Sequence, residues 1–160
     1  TLNGIFLQHR IPVYSKFGGI VQFESSKPLR FTDIISYDGT SLDPAEIFIK
    51  SRMTNVIDAF TEGNGKILAG FREIPAVCLD SATEIIEEIK EIGFGGVIGI
   101  GKPSHPVLEI PVSTGAVGIV IEAGLNPIAA VEEAGIQTES QSLAKMLDYN
   151  ELTPFSECDM

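Results

Sequence analysis

Arg72 and Glu73 stand side by side at the end of an apolar run, Ile67-Leu68-Ala69-Gly70-Phe71. Extended backbone sends successive side chains to opposite faces, so at least one of these charges enters covered surroundings. A covered charge is costly without a partner, and Arg72 therefore calls for a carboxylate. Two sources fit. Asp33 or Asp43 would make an internal ion pair, whereas an organic acid would use the planar guanidinium fork as a binding group.

A second anion-directed feature is written twice. Gly39-Thr40-Ser41-Leu42-Asp43-Pro44 and Gly124-Leu125-Asn126-Pro127 share a Leu-[Asp/Asn]-Pro core, and each precedes a short apolar stretch. Asp or Asn followed by Pro is what a helix start requires: a side-chain acceptor for free N–H groups, then a residue whose missing N–H costs nothing there. The copies differ in charge. Asp43 brings its own negative charge to the positive helix end, while Asn126 is expected to cap neutrally and leave that end open to an external anion.

The chain has 11 Lys and Arg residues. Lys50, Lys90 and Lys145 fall on solvated faces of expected helices, and Lys66 follows a turn. Of the others, Arg72, Arg30 and Lys102 are the expected cationic contacts of an acid-binding site. Thr40, Ser41 and Asn126 would add hydroxyl, amide or helix-end donors. Lys102 and His105 share a Pro-bounded loop, Lys102-Pro103-Ser104-His105-Pro106, a suitable place for binding but equally for ordinary surface residues.

Other chemistries find little support. No nucleophile elbow, phosphate loop or paired-histidine helix is present. Gly93-Phe94-Gly95-Gly96-Val97-Ile98-Gly99-Ile100-Gly101 is glycine-rich but follows an expected helix instead of opening one, so it is no dinucleotide fingerprint. Cys78, Cys158, His9 and His105 sum to four nominal zinc ligands without any close pair, and no metal or cofactor is expected. Two cysteines also make no disulfide framework, which fits a reducing cytoplasm. The net charge of −11 argues against nucleic-acid binding by these residues, since phosphate neutralisation needs clustered cations. No apolar run approaches the roughly 18 residues of a membrane span. An opening without Met, at Thr1-Leu2-Asn3-Gly4, suggests a piece of a longer protein.

The elements needed to position these residues follow from pattern. Leu2, Ile5, Phe6 and His9 have helical spacing, and Ile11-Pro12 stops that helix. Strands are expected over 18–24 and 30–37, joined by the Ser25-Ser26-Lys27-Pro28 turn, with Phe31, Asp33, Ile35 and Tyr37 on one face of the second. Asp43 caps a helix. The stretch 54–60 is ambiguous, and Glu62-Gly63-Asn64-Gly65 carries a hairpin-turn signal. It leads into a central strand, 66–74, apolar on both faces. A helix begins at Asp80-Ser81 with a Ser81/Glu84 capping box and an Ile85, Ile86, Ile89, Ile92 stripe, and ends at Gly93. Strands over 95–102 and 117–122, an extended 107–112, a helix after Asn126 and one over 142–147 complete the series.

Ile11-Pro12-Val13 with Gly19-Ile20-Val21 returns as Ile110-Pro111-Val112 with Gly118-Ile119-Val120. Two motifs repeated in order imply an internal duplication, roughly 1–77 and 78–160. Strands mixed with short helices predict an α+β two-layer sandwich, plait-like, of the ferredoxin-like βαββαβ type.

Thr1-Leu2-Asn3-Gly4, Ile11-Pro12-Val13 with Phe17-Gly18-Gly19, Arg30-Phe31-Thr32, both Leu-[Asp/Asn]-Pro segments, and Phe71-Arg72-Glu73-Ile74-Pro75 form an ordered set. Together they resemble the regulatory domain of the archaeal nitrogen repressor family (NrpR-type), over nearly the whole chain. The resemblance implies a plait-like fold and a non-enzymatic role in repressing nitrogen assimilation genes. It implies 2-oxoglutarate as effector, assembly as a dimer or higher homo-oligomer, and DNA contact only through a helix-turn-helix that this chain lacks. It supplies no ligand-contacting residues. A purely structural dimerisation module, with sensing done elsewhere, is the competing expectation.

Overall fold

The apolar run through Phe71 forms the middle of the molecule. In the computed structural model, which describes residues 1–140, 145–153 and 157, five strands make one sheet: β1 (Tyr14–Glu24), β2 (Lys27–Ser36), β3 (Gly65–Pro75), β4 (Val97–Ile100) and β5 (Ala116–Glu122). Their order is β2-β1-β3-β5-β4, every pair antiparallel. β3 is central because both of its faces are apolar, a pattern only a doubly covered strand can sustain.

Among the described residues five α-helices accompany the sheet: α1 (Leu2–Gln8), α2 (Pro44–Lys50), α3 (Val56–Thr61), α4 (Leu79–Glu91) and α5 (Asn126–Glu133). The path from β2 through α2 and α3 to β3 steps over β1. That from β3 through α4 to β4 steps over β5. Such split crossovers, each with a strand inserted between parallel partners, are plait connections, and the α+β sandwich expected from the pattern is the fold observed. The echoed Gly-Ile-Val triplets lie in β1 and β5, which flank β3 on its two sides.

Alternation along β3 separates two faces. Leu68, Gly70, Arg72 and Ile74 point toward the helices. There, Ile74, Val117 and Ile119 pack with Leu2, Phe6, Ala82, Ile85 and Ile89 of α1 and α4. Ile20 and Leu68 pack with Phe48, Ile49, Val56 and Ala129 of α2, α3 and α5. On the other face Phe17, Val21, Ala69, Phe71 and Val120 are covered by Val107, Leu108, Ile110 and Val112 of the long loop 101–115. Phe17 stacks on Phe71 at 5.1 Å between ring centroids, with Phe31 edge-on to both. Two helix groups thus share one face of the sheet, and they part above Gly70 and Arg72.

Several local expectations are corrected. Phe31 and Ile35 do not share a face. The β1–β2 ladder pairs Ile20 with Asp33 but Val21 with Phe31, and this bulge at Thr32 sends Phe31 to the loop-covered side and Ile35 to the helix side. The hairpin signal at Gly63-Asn64 ends α3 instead: Gly63 takes φ +76, and Asn64 reaches across to accept from the Ser25 N–H at 2.9 Å. The ambiguous 54–60 is largely helical because Glu133 of α5 accepts from Val56 N and Ile57 N at 2.8 and 3.0 Å, supplying from another element the cap Asn55 does not make. Helix α4 starts at Leu79, without a side-chain cap, so Ser81 lies inside it. Its stripe ends at Ile89, since Ile92 is mostly exposed. The strand expected over 95–102 shortens to β4, and 107–112 is a tight turn in which Val107 and Ile110 pair. Of 142–147 only 145–147 are described, and they are not helical.

Candidate functional site

The gap between the helix groups is a cleft of about 1050 Å³, at the upper end of the range for small-molecule sites. Gly70, Arg72 and Ile121 lie on its sheet side. Its walls are the starts of α1, α2 and α5 and, opposite, the end of α4 with the Gly93-Phe94-Gly95-Gly96 segment. Helix starts carry partial positive charge, but Thr1 caps α1 and the Asp43 carboxylate caps α2, so of the three starts here only that of α5, which no side chain caps, is left to favour an anion.

Arg72 is on β3, two residues along the chain from Gly70, whose cross-strand partner is Gly18. Its guanidinium folds back over Gly70, where a Cβ would come within 2.7 Å of Nη1 and 3.2 Å of Cζ. Nη1 donates to the Phe71 carbonyl at 3.1 Å. The Tyr37 ring lies over the guanidinium, 5.4 Å from Cζ to the ring centroid. The Arg72 Nε is buried without a hydrogen-bond partner, and among the described residues no carboxylate forms an ion pair with Arg72. Neither internal partner considered from sequence pairs with it: Asp43 accepts from Ala45 N at 2.9 Å as the α2 cap, and Asp33, in β2 opposite Ile20, forms no ion pair with Arg72.

Glu73 goes to the opposite face, as alternation requires. It is 6% exposed. It accepts from Ser113 N at 3.0 Å, Ser113 Oγ at 2.8 Å and Lys16 Nζ at 3.4 Å. Burial pushes its carboxyl up, but the two Ser113 donors and Lys16 together outweigh that and hold it below the usual glutamate value. This cluster ties the long loop to the sheet.

Of the six residues singled out from sequence, only Arg72 lines the cleft. Arg30 is exposed on β2 and donates to Gln22 at 3.4 Å. Lys102 is exposed in the loop after β4, and the Thr40 hydroxyl closes a local turn with Leu42. Ser41 is exposed beside that turn. Asn126 does not cap α5. The N-cap is Leu125, and Asn126 is 1% exposed with its amide paired to both backbone groups of Leu68, at 2.8 and 3.0 Å, and to Glu122 at 3.3 Å. It continues the β3 ladder where β5 turns away. The second helix start is nonetheless open to the cleft, because Leu125 offers no capping side chain, and Gly124, Leu125 and Pro127 all line it.

Tyr37, Gly18, Gly70 and the 93–96 segment were not singled out as site residues. Glycines inside two adjacent strands were the available signal, since they mark close approach of other groups. Among the described residues no group of three or more His, Cys, Asp or Glu is placed to hold a metal.

The model of the NrpR regulatory domains NRD1 and 2 matches residues 1–154. This chain belongs to the NrpR regulatory-domain family. The family is one of regulatory domains, not of enzymes. The global nitrogen regulator NrpRI of Methanosarcina mazei is 40% identical over 93% of the chain, and NrpR of Methanococcus maripaludis is 34% identical over 98%. The chain spans 46% of the first protein and 27% of the second. The crystal structure of a nitrogen repressor-like protein from Methanococcus jannaschii superposes with a TM-score of 0.73 at 35% identity, covering 89% of this chain and 59% of that one. The NrpR-family fold is therefore shared along with the sequence. No described helix is long and apolar enough to cross a membrane.

Proposed function

We propose that this chain is the effector-sensing and oligomerisation domain of a cytoplasmic transcriptional repressor of nitrogen assimilation genes, and that it responds to 2-oxoglutarate. Arg72 carries the reading: a guanidinium on the sheet side of a cleft, with no carboxylate partner among the described residues. One carboxylate of the ligand pairs with Arg72, and the other faces the start of α5 at Gly124-Leu125, where no side chain caps the helix and the helix dipole favours negative charge. A five-carbon acid fills only part of the cleft, so selectivity rests on these two poles. Operator binding belongs to a helix-turn-helix outside this chain, and the domain works as a homo-oligomer. The ligand changes DNA affinity only if it binds one quaternary arrangement better than the other.

Titration calorimetry with 2-oxoglutarate, succinate and glutamate tests this reading. Saturable binding of 2-oxoglutarate, lost in Arg72→Ala, is expected. No heat from a folded sample sinks it. Sedimentation with and without ligand tests the oligomer.

One observation favours the structural alternative, in which another domain senses the effector. Asp43 and Glu122 also line the cleft, and two carboxylates beside one guanidinium weaken the attraction for a dianion. Glutamate binding in preference to 2-oxoglutarate, or binding of neither, would follow from that balance.

A further inference from the structure

We propose that Tyr37 is the positioning residue of the cleft, acting on the ligand carboxylate through Arg72. The inference rests on the anion-binding reading above. Arginine side chains carry about 2 kcal/mol of rotamer entropy, which a binding site must remove before or during recognition. Here it is removed in advance. One side of the guanidinium lies against the backbone of Gly70, close enough that a Cβ there would be 2.7 Å from Nη1. The guanidinium also lies over the Tyr37 ring, at 5.4 Å from Cζ to the centroid, within cation–π range. Tyr37 has its own bed in the sheet: a Cβ on Gly18, the cross-strand partner of Gly70, would be 3.2 Å from its hydroxyl oxygen and 2.9 Å from Pro44 Cβ. The paired glycines thus make a recess for both side chains.

The edges of the guanidinium are sorted as well. Nη1 donates to the Phe71 carbonyl, and Nε is buried. The Nη2 side is the edge left for a carboxylate, which meets it in the plane of the fork, the geometry in which arginine binds carboxylates best. Without the ring, each binding event must order the side chain anew. Tyr37 also begins the segment running to Asp43 and α2, so the residue that holds Arg72 belongs to the connection forming one wall of the cleft.

Four proteins test this: wild type, Tyr37→Phe, Tyr37→Leu and Gly70→Ala, each first checked for folding by circular dichroism. Solvent exchange of the Arg72 Nε–H, followed by nitrogen NMR without ligand, reads the clamp directly. Slow exchange is expected in wild type and Tyr37→Phe, and fast exchange in Tyr37→Leu. In Gly70→Ala the new Cβ should displace the guanidinium although the ring is intact. Calorimetry with 2-oxoglutarate should show wild-type affinity for Tyr37→Phe and a loss on the order of tenfold for Tyr37→Leu, the size of one cation–π contact. Equal exchange in wild type and Tyr37→Leu, or equal affinity, overturns the proposal. If the wild type binds no 2-oxoglutarate, the effector reading fails for that ligand, and the exchange rates alone decide whether Tyr37 holds Arg72.

Discussion

Arg72 and Glu73 are neighbours on one strand, opposite in charge, and their surroundings differ in kind. Glu73 faces a loop that brings it three donors, two from Ser113 and one from Lys16. Arg72 faces a layer of helices that parts above it, and among the described residues its one side-chain hydrogen bond is to the carbonyl of Phe71. Buried charge is tolerated when partnered, so Glu73 is explained by the fold itself. Arg72 is not: the fold supplies a platform, a ring and an opening but, among the described residues, no carboxylate in ion-pair contact. A charge at the end of a strand is structural or functional according to what covers it, not according to its type or position.

The sharpest way to probe that contrast is a third polar group that the covering layer has satisfied completely. Asn126→Asp would recreate the Asp-Pro of the α2 start, yet its carboxylate would face the Leu68 carbonyl and Glu122, both acceptors. A loss of about 3 kcal/mol is expected in urea unfolding, because a buried charge would replace two donated hydrogen bonds. If the variant is as stable as wild type, Asn126 is a replaceable cap after all. Glu73→Ala should cost about 2 kcal/mol by leaving the Ser113 N–H unsatisfied and freeing the loop. Faster hydrogen exchange across 102–115 would accompany it.

The same pair predicts a pH dependence. Glu73 is held below the usual glutamate value, so its stabilising contribution is complete above that value and is lost as pH falls through the lower, folded-state one. Glu73→Gln should flatten the acid limb of the unfolding curve. Glu132 shows the same sign: the Lys50 ammonium and the Thr138 N–H and hydroxyl bring it down to about 2. Carbon NMR of its carboxyl group should report titration well below an exposed glutamate. The smallest effect on stability is expected for Arg72→Ala, within about 0.5 kcal/mol, since among the described residues the side chain has no ion partner to orphan. Its effect on binding should instead be large. A strongly destabilised Arg72→Ala would show that the contrast with Glu73 is false.

Much of the fold was legible. A both-faced apolar run could only be a central strand, Asp43-Pro44 could only open a helix, and Gly93 was a suitable stop. The failures share a cause. Thr32 bulges out of the β2 ladder, and an extra residue in one strand is invisible to a strict two-residue alternation. Gly63-Asn64 has turn chemistry that serves a helix end as well as a hairpin, and which element precedes it is decided by Glu133, 77 and 76 residues from the N–H groups it caps. Asn126 looked like a cap because local sequence cannot show that its amide pairs with the backbone of Leu68, 58 residues away on β3.

By itself the sequence determined that this chain is an α+β member of the NrpR regulatory-domain family, that Arg72 and Glu73 part to opposite faces, and that the two Leu-[Asp/Asn]-Pro segments open helices. The family rests on the ordered set of motifs, and the other results on local backbone preference and alternation, both carried by residues close in the chain. Tertiary structure alone decided that Arg72 pairs with no carboxylate among the described residues, that Tyr37 covers it, and that the start of α5 opens into the cleft through Leu125 and not Asn126. Each of these depends on what a distant element places above a residue, and covering layers are assembled by packing, which no local pattern records.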